Sequence, residues 1–144
     1  MSNNLRVKSS SKIDETTRVP FKFNGKTYHG FKGDTLASAL LANGIHLVGR
    51  SFKYHRPRGI MSAGSEEPNA IVQVNDKTNR TEPNVRATEV EIYEGLEASS
   101  QNCWPSVNFD IGGINNAISA FLPAGFYYKT FMWPASFWKN TNIL

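Results

Sequence analysis

The chain has 144 residues, a formal net charge of +4 and a pI near 9.3. This length suits one modest hydrophobic core, or a domain of roughly 100 residues with an extension. The single cysteine, Cys103, excludes an internal disulfide framework and any all-cysteine metal site made by this chain alone. Since no apolar stretch approaches the ~20 residues of a membrane span, we expect a soluble, cytoplasmic protein.

The N-terminal region predicts an arm followed by a β-hairpin. Residues 1–17 are rich in Ser, Asn and Lys without an apolar run, which indicates a disordered arm rather than a secretory signal. Two short alternating segments then flank the pair Asn24-Gly25, a strong hairpin signal. In this hairpin Phe21 and Phe23 would share one face.

A short helix is predicted over residues 35–42. Asp34 is a good N-cap, Leu36 and Leu40 fall on one side of the helix, and Gly44 lies just past its end. These features together predict an amphipathic helix that packs one face on a sheet.

Two further strands are predicted at 70–74 and 85–92, and they complete a recognisable order of elements. Hairpin, helix, loop, strand, strand is typical of an α+β β-grasp domain, a small mixed sheet with one helix packed across it. Ubiquitin-like and plant-type ferredoxin-like domains share that plan. We therefore predict a ferredoxin-like β-grasp domain over residues 18–98.

The most distinctive segment lies between the helix and the later strands. Within nine positions it carries four basic residues, a histidine and two aromatic rings, and its candidate binding residues are Arg50, Lys53, Tyr54, His55, Arg56 and Arg58. Docking on another subunit is the favoured interpretation. The alternatives are structural pairing with Glu66, Glu67 or nearby carbonyls, contact with a cofactor phosphate, and, least favoured, nucleic-acid binding.

Residues 99–144 form an aromatic-rich extension, predicted to be partly helical and partly irregular. Apolar residues follow helical spacing from Ile111 to Leu122, although Gly112 and Gly113 weaken such a helix by roughly 1 kcal/mol each. So much apolar surface needs a partner, and we expect much of it to pack outside this chain.

Three runs carry a family resemblance: GRSFKYHRPRG at 49–59, GSEEPNA at 64–70 and PAGFYYKTFMWP at 123–134. Together they resemble the α subunit of heterotetrameric sarcosine oxidase. The resemblance implies an N-terminal domain of a longer subunit, followed by a dinucleotide-binding domain and a folate-binding region. It also implies a complex that demethylates sarcosine oxidatively to glycine with FAD, FMN and NAD. No G-x-G-x-x-G occurs here, so we expect a fragment that is not catalytic in isolation.

The predicted domain is also similar to the two-iron two-sulfur ferredoxin domain of related dehydrogenases. The plant-type cysteine spacing falls on Ser62, Glu67 and Ala70, with Thr88 in the fourth place. None of these residues is a thiol. We therefore interpret them as vacated cluster positions and predict no metal and no cofactor in this chain.

The predicted role is architectural, with no catalytic residue assigned. The domain would hold its subunit against the others of the oxidase complex, notably the flavin-bearing one, without contacting nucleic acid or membrane. Two alternatives stay open: a free-standing ubiquitin-like binding module, and the equivalent subunit of an opine oxidase or related amine dehydrogenase.

Overall fold

The computed structural model of the chain describes Arg6 and residues 13–75 and 80–119. This part is a mixed α+β structure, as predicted. Its elements are the strands β1 (Asp14–Phe23) and β2 (Lys26–Lys32), helix α1 (Leu36–Ala42), the strands β3 (Gly49–Arg50), β4 (Pro57–Arg58), β5 (Ile71–Asn75), β6 (Thr81–Arg86) and β7 (Glu97–Ser100), a 3-10 turn (Ile111–Gly113) and helix α2 (Ile114–Ala117). None of the helices in these residues is long and apolar enough to cross a bilayer.

The main sheet has five strands in the order β2-β1-β7-β5-β6. Strands β1 and β7 are parallel, with Lys22 opposite Glu97, and the other neighbouring pairs are antiparallel. The sheet includes Ser99 and Ser100, which lie just beyond the predicted domain end at residue 98.

The first hairpin forms where Asn24-Gly25 predicts it. Both turn residues have positive φ, 49° for Asn24 and 75° for Gly25, as a tight turn between twisted strands requires. Phe21 and Phe23 are buried on the same face, and Phe21 pairs across the ladder with Tyr28.

Strand β1 begins at Asp14, inside the range predicted to be a disordered arm. The Asp14 carboxylate accepts hydrogen bonds from Thr16 and Thr17, and Asp14 itself pairs with Lys32. The predicted arm is therefore too long by four residues. Of the rest of that range, the structure describes Ile13 and Arg6, and the Arg6 guanidinium forms an ion pair with Asp34.

Helix α1 forms as predicted, but its N-cap differs. The hydroxyl of Thr35 accepts the N–H of Ser38 at 3.2 Å, so Thr35 is the cap residue instead of Asp34. Asp34 is fully buried and accepts the Phe31 N–H at 2.8 Å and the Ser38 hydroxyl at 2.8 Å. It thereby joins the end of β2 to the helix.

The core lies between α1 and the sheet. Gly30 on β2 allows this close packing, because a methyl group there would lie 2.4 Å from Ile92 Cδ1 and 3.0 Å from Ala39 Cβ. Burying each large side chain contributes about 1.5–3 kcal/mol. The largest apolar members of this core are Phe21, Phe23, Leu36, Leu40, Val48, Val72, Ile92 and Leu96.

Two predicted elements have different bounds. The strand expected at 85–92 is β6, which ends at Arg86, and the chain then turns through a hydrogen bond from Glu89 N–H to Arg86 O. The helix expected from Ile111 is split into the 3-10 turn and the single turn of α2, in keeping with the weak helix propensity of the glycines. The remainder of the aromatic extension, from residue 120, lies outside the described residues.

Candidate functional site

The functional candidates lie in two adjacent segments. We call residues 49–58 the basic loop, and residues 59–70 the Glu67 loop. The first contains a small antiparallel ribbon in which Gly49 pairs with Arg58 and Arg50 with Pro57. The second connects that ribbon to β5 in the main sheet.

Glu67 is the internal anchor of its loop. Its side chain is among the largest fully buried ones, at 1% exposure. One carboxylate oxygen accepts the N–H groups of Met61 and Ser62 at 2.7 and 2.5 Å. The other accepts those of Asn69 and Ala70 at 2.8 and 3.1 Å. A single side chain thus satisfies four backbone donors that the loop would otherwise leave without partners.

These contacts keep the carboxylate ionised. Burial raises the pKa of Glu67, but the hydrogen bonds from Ser62, Asn69 and the neighbouring backbone outweigh it and bring the pKa to about 2. The adjacent Glu66 is exposed. Glu67 therefore bonds the loop's own backbone and does not act as an ion-pair partner for the basic loop.

The four positions derived from the cysteine spacing lie around this one loop. Ser62 and Ala70 bond the Glu67 carboxylate, and buried Thr88 donates its hydroxyl to Gly64 O at 2.8 Å. Residues that are up to 26 positions apart in sequence therefore lie around one loop, where Ser62 and Ala70 bond through their backbone N–H groups and Thr88 through its hydroxyl.

The basic loop is fixed to the segment that follows β7 through Asp110. The Asp110 side chain is fully buried and lies 2.7 Å from His55 Nδ1 and 3.6 Å from Arg50 Nε. It also accepts the N–H groups of Trp104 at 2.9 Å and Gly112 at 3.2 Å. Burial raises the pKa of Asp110, but the bonds from Trp104 and His55 outweigh it and leave that pKa below its ordinary value.

The fit around His55 depends on a glycine. His55 has a φ of 52°, and its ring lies against Gly112, where a methyl group would be 2.2 Å from Cε1 and 2.3 Å from Nδ1. The sequence does not predict this contact, because His55 and Gly112 are far apart in the chain. The one available signal was an acidic residue, Asp110, next to two glycines.

Other basic-loop side chains also bond within the chain. Arg56 Nε donates to Asn116 Oδ1 at 2.9 Å, and its guanidinium lies 4.7 Å from the Tyr54 ring centroid. The ammonium of Lys53 lies 5.1 Å from the same centroid. The alternative of structural pairing named Glu66, Glu67 and nearby carbonyls, and Arg50 donates to two carbonyls, those of Val107 and His55.

An apolar surface accompanies the basic loop. We use this term for six large side chains that are between 43% and 70% exposed: Phe52, Trp104, Phe109, Ile111, Ile114 and Ile118. They lie on two segments that bond each other through Arg56 and Asn116, and through Asn115 Nδ2 and Lys53 O. Exposed apolar side chains on segments that bond each other in this way are candidates for an interaction site.

Residues 16–103 match a family described as the 2Fe-2S iron-sulfur cluster binding domain. The chain belongs to this family. A chain from the crystal structure of L-proline dehydrogenase from P. horikoshii has a similar fold, with a TM-score of 0.50 and 23% identity over 68% of this chain and 18% of that one.

The relatives confirm the resemblance to sarcosine oxidase α subunits. Sarcosine oxidase subunit alpha of Rhizobium meliloti (strain 1021) is 59% identical over 138 residues, which cover 96% of this chain and 14% of the relative. The corresponding subunits of Corynebacterium sp. strains U-96 and P-1 are 39% and 41% identical over 93 and 92 residues, covering 63% and 62% of this chain. The chain spans 14% or less of the length of these relatives.

The prediction that the chain has no cofactor is contradicted by its family, which is described as a 2Fe-2S iron-sulfur cluster binding domain. The residues of the Glu67 loop nevertheless do not fit the four thiolate ligands of such a cluster. Ala70 has no ligand atom, and both oxygens of Glu67 already accept backbone N–H groups. Within residues 13–75 and 80–119, no group of three or more His, Cys, Asp or Glu side chains is arranged so that it could hold a metal ion.

Proposed function

We propose that this chain is the N-terminal ferredoxin-like β-grasp domain of a sarcosine oxidase-type α subunit, and that it docks that subunit onto the flavin-bearing one. Its relatives bear the name sarcosine oxidase subunit alpha and are much longer than this chain. In this proposal the domain contributes to the oxidative demethylation of sarcosine by positioning subunits.

The apolar surface is the observation that carries this proposal. Its six exposed side chains include three aromatic rings, and Lys53 and Arg56 lie on the same loop as one of these rings, Phe52. Aromatic residues and arginine are enriched in protein–protein interfaces, where a few buried anchors contribute most of the binding energy. A complementary partner would present an apolar patch with acidic residues at its rim.

The Asp110 contacts would make this surface ready to bind. Because His55 and Arg50 hold the segment around Asp110 in place, a partner would not have to order that segment on association. A surface that is already ordered loses less conformational entropy on binding, so more of the contact energy appears as affinity.

Co-expression with the other subunits of the complex tests the proposal. Ile114 is 64% exposed, and the substitution Ile114→Asp would place a charge in the apolar surface. We expect at least a tenfold loss of co-purified flavin-bearing subunit, about the effect of removing one interface anchor. Equal recovery of that subunit with the folded variant would refute the docking role.

A matched control is Thr81→Asp, which places the same charge at an exposed position of β6. It should leave co-purification unchanged. Arg56→Ala provides a second probe at the rim, and its effect should shrink as salt is raised, because exposed charges are screened.

A further inference from the structure

A second feature of the basic loop is a cleft of about 380 Å³ between it and the Glu67 loop. Five separate stretches of chain converge on this cleft. Among the residues that the structure describes, its lining includes two arginines, three asparagines and a serine, and no Asp or Glu. The lining residues that carry the inference are Arg50, Ser51, Phe52, Arg58, Asn84 and Asn102.

Both arginines are held in place by protein acceptors. Arg50 donates Nε to Val107 O at 2.9 Å and Nη1 to His55 O at 2.8 Å. Arg58 donates Nη1 to Asn69 Oδ1 at 2.6 Å. A guanidinium has more N–H donors than these bonds use, so each fixed side chain retains donors for a ligand.

The asparagines place further donors at the edge of the cleft. Asn84 and Asn102 have φ values of 61° and 56°, in the left-handed region that asparagine tolerates better than most residues. Asn102 Nδ2 also donates to Arg50 O at 3.2 Å, which ties the far side of the cleft to the first arginine.

Charge distinguishes this cleft from the other large one. A cleft of about 790 Å³ beside the first hairpin has Lys26 and His46 in its lining, but no arginine. Two arginines and three asparagines, in a lining whose described residues include no carboxylate, favour a bound anion. The Asp110 carboxylate lies 3.6 Å from Arg50 Nε but is not among the lining residues. Phe52, 70% exposed at the same cleft, adds an apolar face.

We propose that this cleft binds the oxyanion of a small molecule, a phosphate or carboxylate group held between Arg50 and Arg58. The proposed site differs in its chemistry from the proposed docking role, because recognition of the anion depends on Arg50 and Arg58, while Phe52 belongs to both the cleft and the apolar surface. Its size suits a compact ligand with more than one anionic oxygen.

Titration of the isotopically labelled chain with sodium pyrophosphate, followed by amide NMR at constant ionic strength, tests the proposal. Saturable shifts should concentrate at Ser51, Asn69, Asn84 and Asn102. Arg58→Ala should weaken binding roughly tenfold, the contribution expected of a charged hydrogen-bonding partner. The control Arg18→Ala removes the same charge from an exposed position of β1 and should change the affinity less than about twofold.

A second variant tests the same site in case Arg58→Ala does not fold. Asn84→Gly removes the side-chain amide and keeps a residue that accepts positive φ, so the fold should persist while pyrophosphate binds more weakly. A parallel titration with citrate identifies the ligand class: saturation by pyrophosphate alone assigns a phosphate site, and saturation by citrate supports a carboxylate site. Absence of saturable binding by both, or equal weakening in Arg18→Ala, would overturn the proposal.

Discussion

The substitution Glu67→Gln removes the charge from the buried side chain that four backbone N–H groups bond. It preserves the shape of that side chain, but the new amide must turn a donor toward N–H groups that are donors themselves. A pKa lowered from 4.5 to about 2 corresponds to about 3 kcal/mol of stabilisation at neutral pH. We therefore expect the variant to lose about 3 kcal/mol of unfolding free energy.

Urea unfolding at several pH values measures this loss. The folded-state pKa of Glu67 lies below its ordinary value, so its contribution is fully present above pH 4.5 and is lost as the pH falls towards 2. The difference between the unmodified chain and Glu67→Gln should therefore shrink over that interval. Glu66→Gln, which removes the neighbouring exposed charge, should change stability by less than about 0.5 kcal/mol.

Two results would refute this reasoning. One is a loss at pH 7 below about 1 kcal/mol, since a buried carboxylate with four donors cannot contribute so little. The other is a difference that stays constant between pH 4.5 and 2, because it would show that packing, and not ionisation, sets the effect.

Three further substitutions test other parts of the structure. Asp110→Asn should lower the unfolding free energy by about 2–4 kcal/mol in urea denaturation, because it leaves buried donors without their charged acceptor. Gly112→Ala should shift the His55 ring resonances in NMR spectra and lower the Tm, whereas Gly113→Ala, with open space around it, should do neither. Gly25→Ala should cost about 1 kcal/mol in thermal unfolding through strain at φ 75°, and an unchanged Tm would contradict the turn geometry.

The sequence predicted those elements whose conformation is determined by residues adjacent in the chain. The pair Asn24-Gly25 specifies its turn by backbone preference, and the spacing of Leu36 and Leu40 specifies a helix face. The N-cap was wrong because Asp34 and Thr35 are both good capping residues. Only the burial of the Asp34 carboxylate against β2 decides which of them caps the helix.

Features that depend on distant residues could not be predicted in this way. Strand β7 lacks β-branched residues, and its conformation follows from pairing with β1 and β5. The contact between His55 and Asp110 joins segments 55 residues apart. The sequence interpreted Glu67 as a vacated cluster position, whereas its contacts here depend on burial and on the direction of four N–H groups, which the sequence alone does not give.

The location of Asp110 has a consequence for how related domains can be compared. The span shared with the family ends at residue 103, seven positions before Asp110. A domain cut at that border would retain Arg50 and His55 while losing the carboxylate that both of them contact. The surroundings of the basic loop would then be more positive than in the longer chain, so partner preferences measured at that loop on such an excised piece would not transfer to the longer chain.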